Sequence, residues 1–419
     1  MIESIFTRER IRSPLAESPM GEHLPALIQT LRTQRYAPDT IRRYVHAAAT
    51  FGQWLTTQPL PVSAINEHVL ARYIVSRGSR MIRTTGRAQR PQSTVGLHHL
   101  LQVLRDQGVI APPVVAVPTT PIEQVLVEYE QYLDRVHGAA RLTRRKYRYF
   151  ARQLLQAVFP SGDLHWPALR AETITHVVQQ ETTRRRGFGR KHPGSAIRIF
   201  LRYLVTCGMI PAGLEAAVPG MWIWTHASLP EYFSEEEIAC LLTISADGTA
   251  VGKRNYALLL LLARLGLRAQ EAVHLRLDDI DWRAGIVSVC ARKTHRERVL
   301  PLPEDVGEAL VAYLRVGRPP TTSRAIFLTH TAPYRPLQSE SVVTKLVKRL
   351  IREAGLCRRT SGAHLFRHAA ATHMVRRGVS FKAVADVLGH QSLQTTGIYA
   401  KLDLETLAQV ALPWPGGAQ

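Results

Sequence analysis

With 419 residues, 45% of them hydrophobic, the chain is long enough for two or three domains that each bury a core. Lysine and arginine outnumber aspartate and glutamate by 54 to 33, a net charge of +21 that solubility alone does not require and that points to a polyanion, nucleic acid first. Its four cysteines make no C-x-x-C pair, which argues against a zinc ribbon or a disulfide framework and fits a reducing compartment. No apolar leader opens the sequence, and the most apolar run, Tyr256 to Leu262, is too short to span a bilayer. The expectation is a cytoplasmic bacterial protein, nucleoid-associated when on DNA, with no membrane partner.

The N-terminal half reads as helical and self-similar. Ala37 to Trp54 resembles Ala140 to Gln156, each carrying a threonine four residues before a tyrosine (Thr40 and Tyr44, Thr143 and Tyr147). Val95 to Ile110 resembles Ser195 to Ile210, with Leu101, Leu104, Gly108 and Ile110 matching Leu201, Leu204, Gly208 and Ile210. Two helical modules of about a hundred residues, 1–111 and 121–213, are the simplest reading. Between the third and fourth helices of each, a polar basic loop is expected. The first carries Arg77, Arg80, Arg83, Arg87 and Arg90; the second carries Arg184, Arg185, Arg186, Arg190 and Lys191. With Arg144, Arg145 and Lys146 of the repeated helix, these are the candidate contacts to a phosphate backbone. The tyrosines Tyr44, Tyr147 and Tyr203 are expected in the core.

Proline sets the boundaries. Ala111 to Pro121 cannot continue a helix and parts the two modules. A second break at 214–230 carries Trp222 and Trp224 and precedes a C-terminal domain, 231–419. There a capping box at Ser234 to Glu237 opens a helix, and a further helix over Arg254 to Leu265 is closed by Gly266. Two β-rich runs, Ile286 to Ala291 and Arg298 to Leu302, flank Lys293 as a hairpin. Helices follow at Asp305 to Val316 and Ser341 to Ala354. The fold expected is mainly α with a small β-sheet.

Ser361 to Lys401 concentrates the chemistry. His364 and Arg367, three apart on a helix, leave the same face; Gly389-His390 follows a second short helix, and Tyr399 lies nine residues beyond His390. An arginine, two imidazoles and a phenol suit work on a phosphodiester without a metal or other cofactor. Singly, each residue reads as a surface or packing side chain. Arg268 and Lys293 upstream change that.

The order Arg268, Lys293, His364, Arg367, His390, Tyr399 resembles the tyrosine recombinase (phage integrase, Xer-like) family. The resemblance rests on LGLRAQEAVHLRLDDID, ARKTHRERVLPL, HLFRHAAATH and LGHQSLQTTGIY, and covers Leu229 to Leu402. It implies a catalytic fold preceded by a helical, SAM-like core-binding domain, here residues 121–213, with 1–111 as an extra module. It implies that Tyr399 attacks the scissile phosphate to leave a 3′-phosphotyrosine and a free 5′-hydroxyl, without ATP. Arg268 and Arg367 would clamp the non-bridging oxygens, Lys293 would protonate the leaving oxygen, and His364 and His390 would hydrogen-bond the phosphate and help manage the tyrosine proton. Glu271 would brace the arginine. His295, His368 and His373 fall outside the pattern and are expected to be structural or surface residues.

The implied partners are duplex DNA carrying a specific site and three further protomers, identical or of related recombinases, working through a Holliday junction. The tail after Leu402, with Leu404, Leu407 and Val410, resembles the family's partner-docking helix. The sequence departs from the family at Arg292 and Thr294, where glycines are frequent, at Arg296 in place of a lysine, and at Ala400-Lys401 in place of a histidine. Other readings of the same residues are a DNA-binding architectural protein, a type IB topoisomerase, and a metal-dependent nuclease using Asp278, Asp279 and Asp281.

Overall fold

The computed structural model describes residues 5–6, 9–58, 60–85, 93–113, 120–185, 187–220, 231–291, 296–390, 392 and 396–402. Trp222, Trp224, Leu404, Leu407 and Val410 lie outside them. Met1–Ala111 and Ser228–Gln419 form one unit and Pro112–Ala227 another.

In the first unit, residues up to 111 supply α1 (Glu9–Ala16), α2 (Leu24–Thr33), α3 (Pro38–Thr56), α4 (Glu67–Thr85) and α5 (Ser93–Asp106). They enclose their own buried cluster from Ile5 to Ile110. The second unit holds α6 (Pro121–Arg135), α7 (Arg141–Val158), α8 (Ala171–Thr183) and α9 (His192–Thr206), with a cluster from Ile122 to Val218.

The turn after α5 matches the turn after α9 in detail. Gly108 and Gly208 take left-handed φ of 72° and 68°. The following N–H, of Val109 and of Met209, donates to Leu104 O and Leu204 O, each at 2.9 Å. Leu101, Leu104 and Ile110 are buried, as are Leu201, Leu204 and Ile210. Only glycine enters that conformation cheaply, so the shared glycine fixes the same helix stop twice.

The first basic loop is corrected. Helix α4 continues through Arg77, Arg80 and Arg83 to Thr85, and Arg87 and Arg90 lie outside the described residues. Arginine, methionine and isoleucine sustain a helix, and the one glycine, Gly78, costs only about 1 kcal/mol. The second stretch is not an open loop either: α8 reaches Thr183, and Gly187–Lys191 coils as a short 3-10 turn.

The rest of the first unit begins with α10 (Glu235–Ser245), opened by the Ser234–Glu237 capping box. Next, α11 (Ala250–Leu265) starts four residues earlier than the sequence pattern suggests, because the Thr249 side chain accepts from Gly252 N. The middle of α11 is apolar all round and therefore central, with Leu258 to Leu262 all at most 1% exposed. After α12 (Ala269–Val273) comes an antiparallel sheet of β1 (Ile280–Asp281), β2 (Ile286–Ala291) and β3 (Arg296–Pro301), in that order. Then α13 (Glu304–Ala312), α14 (Ser341–Glu353), α15 (His364–Arg376) and α16 (Phe381–Leu388) complete the main elements, and a 3-10 turn spans Gly397–Leu402. Helix α15 sinks Leu365, Phe366 and Ala369 into the core around α11, which anchors its first turn. Among the described residues no helix is long and apolar enough to cross a membrane.

Candidate active site

Arg268, His364, Arg367, His390 and Tyr399 line one cleft of about 520 Å³. They arrive on separate elements: Arg268 at the start of α12, His364 and Arg367 in the first turn of α15, His390 just beyond α16, and Tyr399 in the 397–402 turn. Lys293, which falls between β2 and β3 in the sequence, lies outside the described residues.

Arg367 is 7% exposed and sits between two helix ends. Its Nη1 donates to Gly266 O at 2.8 Å and its Nη2 to Leu388 O. Helices α11 and α16 both stop at a left-handed glycine, Gly266 (φ 59°) and Gly389 (φ 64°). Helix C-termini carry partial negative charge, which suits a guanidinium. Burial, with Arg268 adding to it, lowers the Arg367 pKa to about 10, and the group stays charged at neutral pH.

Arg268 is more open. Its Nη1 donates to Glu271 Oε1 at 2.8 Å, its Nη2 to Gly389 O at 3.2 Å, and its backbone N–H to Glu271 Oε2 at 2.9 Å. Glu271 therefore touches Arg268, and a residue the sequence reading overlooked joins it: Arg298 on β3 donates to Glu271 Oε2 at 2.7 Å. Burial alone would push the Glu271 carboxyl up, but Arg298 and Arg268 outweigh it and hold the group below its usual range.

His364 is exposed on the rim of the cleft. His390 is half-buried, its Nδ1 2.7 Å from Thr396 Oγ1, and its ring lies parallel to that of Tyr399 with centroids 6.5 Å apart. Tyr399 is 1% exposed. Burial raises its pKa to about 12, although Arg367 and Arg268 pull the other way.

His368, expected to be a structural or surface residue, packs against the tyrosine. Its Nδ1 lies 2.7 Å from Tyr399 Oη, the closest approach of any described imidazole to the phenol oxygen. Burial, then His364 and Arg367, lowers its pKa to about 4. The signal in the sequence is that His368 follows His364 by four residues, on the same helix face.

The candidate phosphate-contacting residues differ in how free they are. Arg144 pairs with Asp134, and Lys146 approaches the Tyr147 ring at 5.7 Å. Arg184 and Arg185 both bind the buried Glu181, at 2.7 and 2.6 Å, so one carboxylate is shared by two guanidiniums and offsets one of their two charges. Arg145 and Arg190 are exposed, and Lys191 is half-exposed. Arg77 donates to Tyr73 Oη at 3.0 Å. Side chains of Arg80 and Arg83, and all of Arg186, lie outside what the structure describes.

The aspartates of the metal-nuclease alternative have other work. Asp278 pairs with Arg324, Asp279 accepts from Arg276 N, and Asp281 accepts from Arg283 N and Ala284 N. Among the described residues no cluster of three His, Cys, Asp or Glu side chains could hold a metal ion.

Comparison with known proteins places the site in context. The phage integrase family matches residues 231–405. The chain is 37% identical over 406 residues to a Sinorhizobium fredii protein named as an integrase/recombinase, y4rA, covering 96% of each chain. It is 29% identical over 286 residues to the tyrosine recombinase XerA of Thermococcus onnurineus, which covers 68% of this chain and 93% of XerA. Among solved structures, XerH recombinase bound to its palindromic difH substrate superposes with TM-score 0.54 at 20% identity, covering 84% of this chain and 98% of that one. A lambda integrase dimer bound to a core site gives TM-score 0.53 at 17% identity, covering 66% and 94%. The structural likenesses bear on the fold; the sequence likeness reaches the whole chain.

Proposed function

The chain belongs to the phage integrase family of tyrosine recombinases, and from that premise we propose that its cleft cuts and rejoins DNA at a specific site through Tyr399. The observation that supports this most is the convergence of two arginines, three histidines and a tyrosine, from residues 268 to 399, on one cleft. Tyr399 Oη attacks the scissile phosphorus, the bond to the 5′-oxygen breaks, and a 3′-phosphotyrosine stores the bond until a 5′-hydroxyl returns. Arg268 and Arg367 bind the non-bridging oxygens as charge grows there, acting in a cleft where donors are held in place before the reaction. Lys293 gives the leaving oxygen its proton. His364, from the rim, and His390 hydrogen-bond the phosphate. Glu271 holds Arg268 at its working angle.

Residues 121–213 serve as the core-binding domain, 231–419 as the catalytic domain, and 1–111 as an added module for DNA or protein contact. Four protomers act in sequence through a Holliday junction, with no cofactor. Type IB topoisomerase activity differs in needing no specific site.

The test is a nicked suicide duplex carrying the site. Wild type is expected to give an SDS-stable adduct on a 3′ end, insensitive to EDTA, and Tyr399→Phe none. An adduct from Tyr399→Phe would move the nucleophile elsewhere.

A further inference from the structure

Tyr399 has a buried hydroxyl, and a buried phenol proton needs an acceptor. His368 Nδ1, at 2.7 Å, is the acceptor the described residues provide. His390 is the obvious rival, but its Nδ1 faces Thr396 Oγ1 and its ring lies flat beside the tyrosine ring rather than pointing at Oη. His364 is exposed on the cleft rim and meets His368 edge to face, ring centroids 5.6 Å apart, with no bond to Oη. Arg268 and Arg367 have no acceptor to offer.

We propose that His368 is a catalytic residue: its Nδ1 takes the Tyr399 hydroxyl proton as Oη attacks phosphorus. The inference rests on the recombinase reading and adds to it. In the step, an Oη lone pair forms the bond to phosphorus, the bond from phosphorus to the 5′-oxygen breaks, and the Oη proton moves to Nδ1. The leaving oxygen takes a separate proton from the Lys293 ammonium. Both transfers reverse on rejoining, so the balance closes with no other reactant.

The surroundings keep His368 ready. His364 and Arg367 on its own helix are its charged or titratable neighbours, Tyr399 lies opposite, and Arg268, Glu340, Lys348 and His390 line the same cleft. Burial first, then His364 and Arg367, hold its pKa near 4, leaving the ring neutral at physiological pH. The incoming phosphate adds negative charge that favours the imidazolium, and Oη grows sharply more acidic as its bond to phosphorus forms. The acceptor is thus weak at rest and adequate in the transition state.

His368→Asn tests the idea, because its amide puts a hydrogen-bonding atom near the place of Nδ1 without accepting a proton. On the suicide duplex at pH 7.5 the variant is expected to bind DNA like wild type and cleave about 100-fold or more slowly, the usual effect of losing a general base. A 5′-bridging sulfur, which leaves without a proton, should restore cleavage by Lys293→Ala but not by His368→Asn. Wild-type cleavage by His368→Asn, or its rescue by the sulfur substrate, would overturn the proposal.

A readout on wild type covers the case in which the variant fails to fold. With His368 as acceptor, cleavage is level across neutral pH and falls on the acid side. Attack by tyrosinate formed without a base would instead rise about tenfold per pH unit below a pKa of about 12, and that slope would also overturn it. If wild type forms no adduct at all, the recombinase reading fails and not merely the role of His368.

Discussion

Arg298 Nη2 donates to Glu271 Oε2 at 2.7 Å, so the carboxylate that steadies Arg268 is itself held from the sheet. The pair is nearly enclosed, with side chains 12% and 6% exposed. Arg298→Ala is expected to leave DNA binding near wild type while slowing cleavage about 10–100-fold, the range typical when a residue supporting a site ligand is lost. Arg298→Lys should recover part of that, since charge returns without the planar fork. Cleavage rates and gel-shift affinities on one duplex decide it; equal loss of both would mean that Arg298 acts only through folding.

Arg268 and Arg367 should separate by their effect on stability. Arg268 is partly exposed, so Arg268→Ala should fold normally and bind DNA, with cleavage reduced about 10²–10³-fold. Arg367→Ala removes a buried donor from two helix-end carbonyls and should also cost about 1–3 kcal/mol for each acceptor left unpaired. Denaturant titration of the two variants makes the comparison; equal stabilities would contradict the wedge.

Gly389 and Gly378 form a controlled pair. Both are left-handed, at φ 64° and 78°. An alanine Cβ at 378 meets nothing within 4 Å, so Gly378→Ala should cost only the backbone penalty of about 1–2 kcal/mol. At 389 the Cβ would lie 2.3 Å from Arg298 Nη1, forcing that side chain off Glu271. Gly389→Ala should therefore be the less stable and should also cleave more slowly, whereas Gly378→Ala cleaves normally. Thermal unfolding and a cleavage assay read both arms.

Acid should weaken the fold over a definite window. His368 and His390 are pushed down to about 4, in each case first by burial, from an ordinary value of 6.5. Between those values the unfolded chain holds more protons than the folded one, so stability rises with pH there and is lost as pH falls from about 6.5 towards 4. Replacing His390 with glutamine should flatten that slope. Stability measured at several pH values checks it, and a slope unchanged by the substitution would show that other groups set it.

The residues that line the cleft were legible in chain order because they sit at helix ends and turns that carry local marks: Gly266 before Arg268, Gly389 before His390. Helix and strand periodicity likewise found the mixed C-terminal fold. What escaped depended on contacts between segments distant in sequence. His368 meets Tyr399 only after α15 and the 397–402 turn are placed together. Arg298 alternates inward with Leu300 on β3, and a charge on an inward position was the available hint that a partner awaited it. The basic stretch from Arg77 misled because glycine and threonine suggested a loop, yet its arginines and apolar residues were sufficient to carry α4 onward.

The position of Arg367 between the ends of α11 and α16 has a consequence for timing. Stripping water from a guanidinium is costly, and here folding has already done so, with two peptide carbonyls standing in for the lost solvent. On the proposed mechanism, an arriving phosphate would then meet a cation that needs little rearrangement. A lysine at 367 has one nitrogen and no rigid fork with which to hold both carbonyls and still face an anion. The helix ends thus act as a template that selects the chemical shape of the residue as well as its charge.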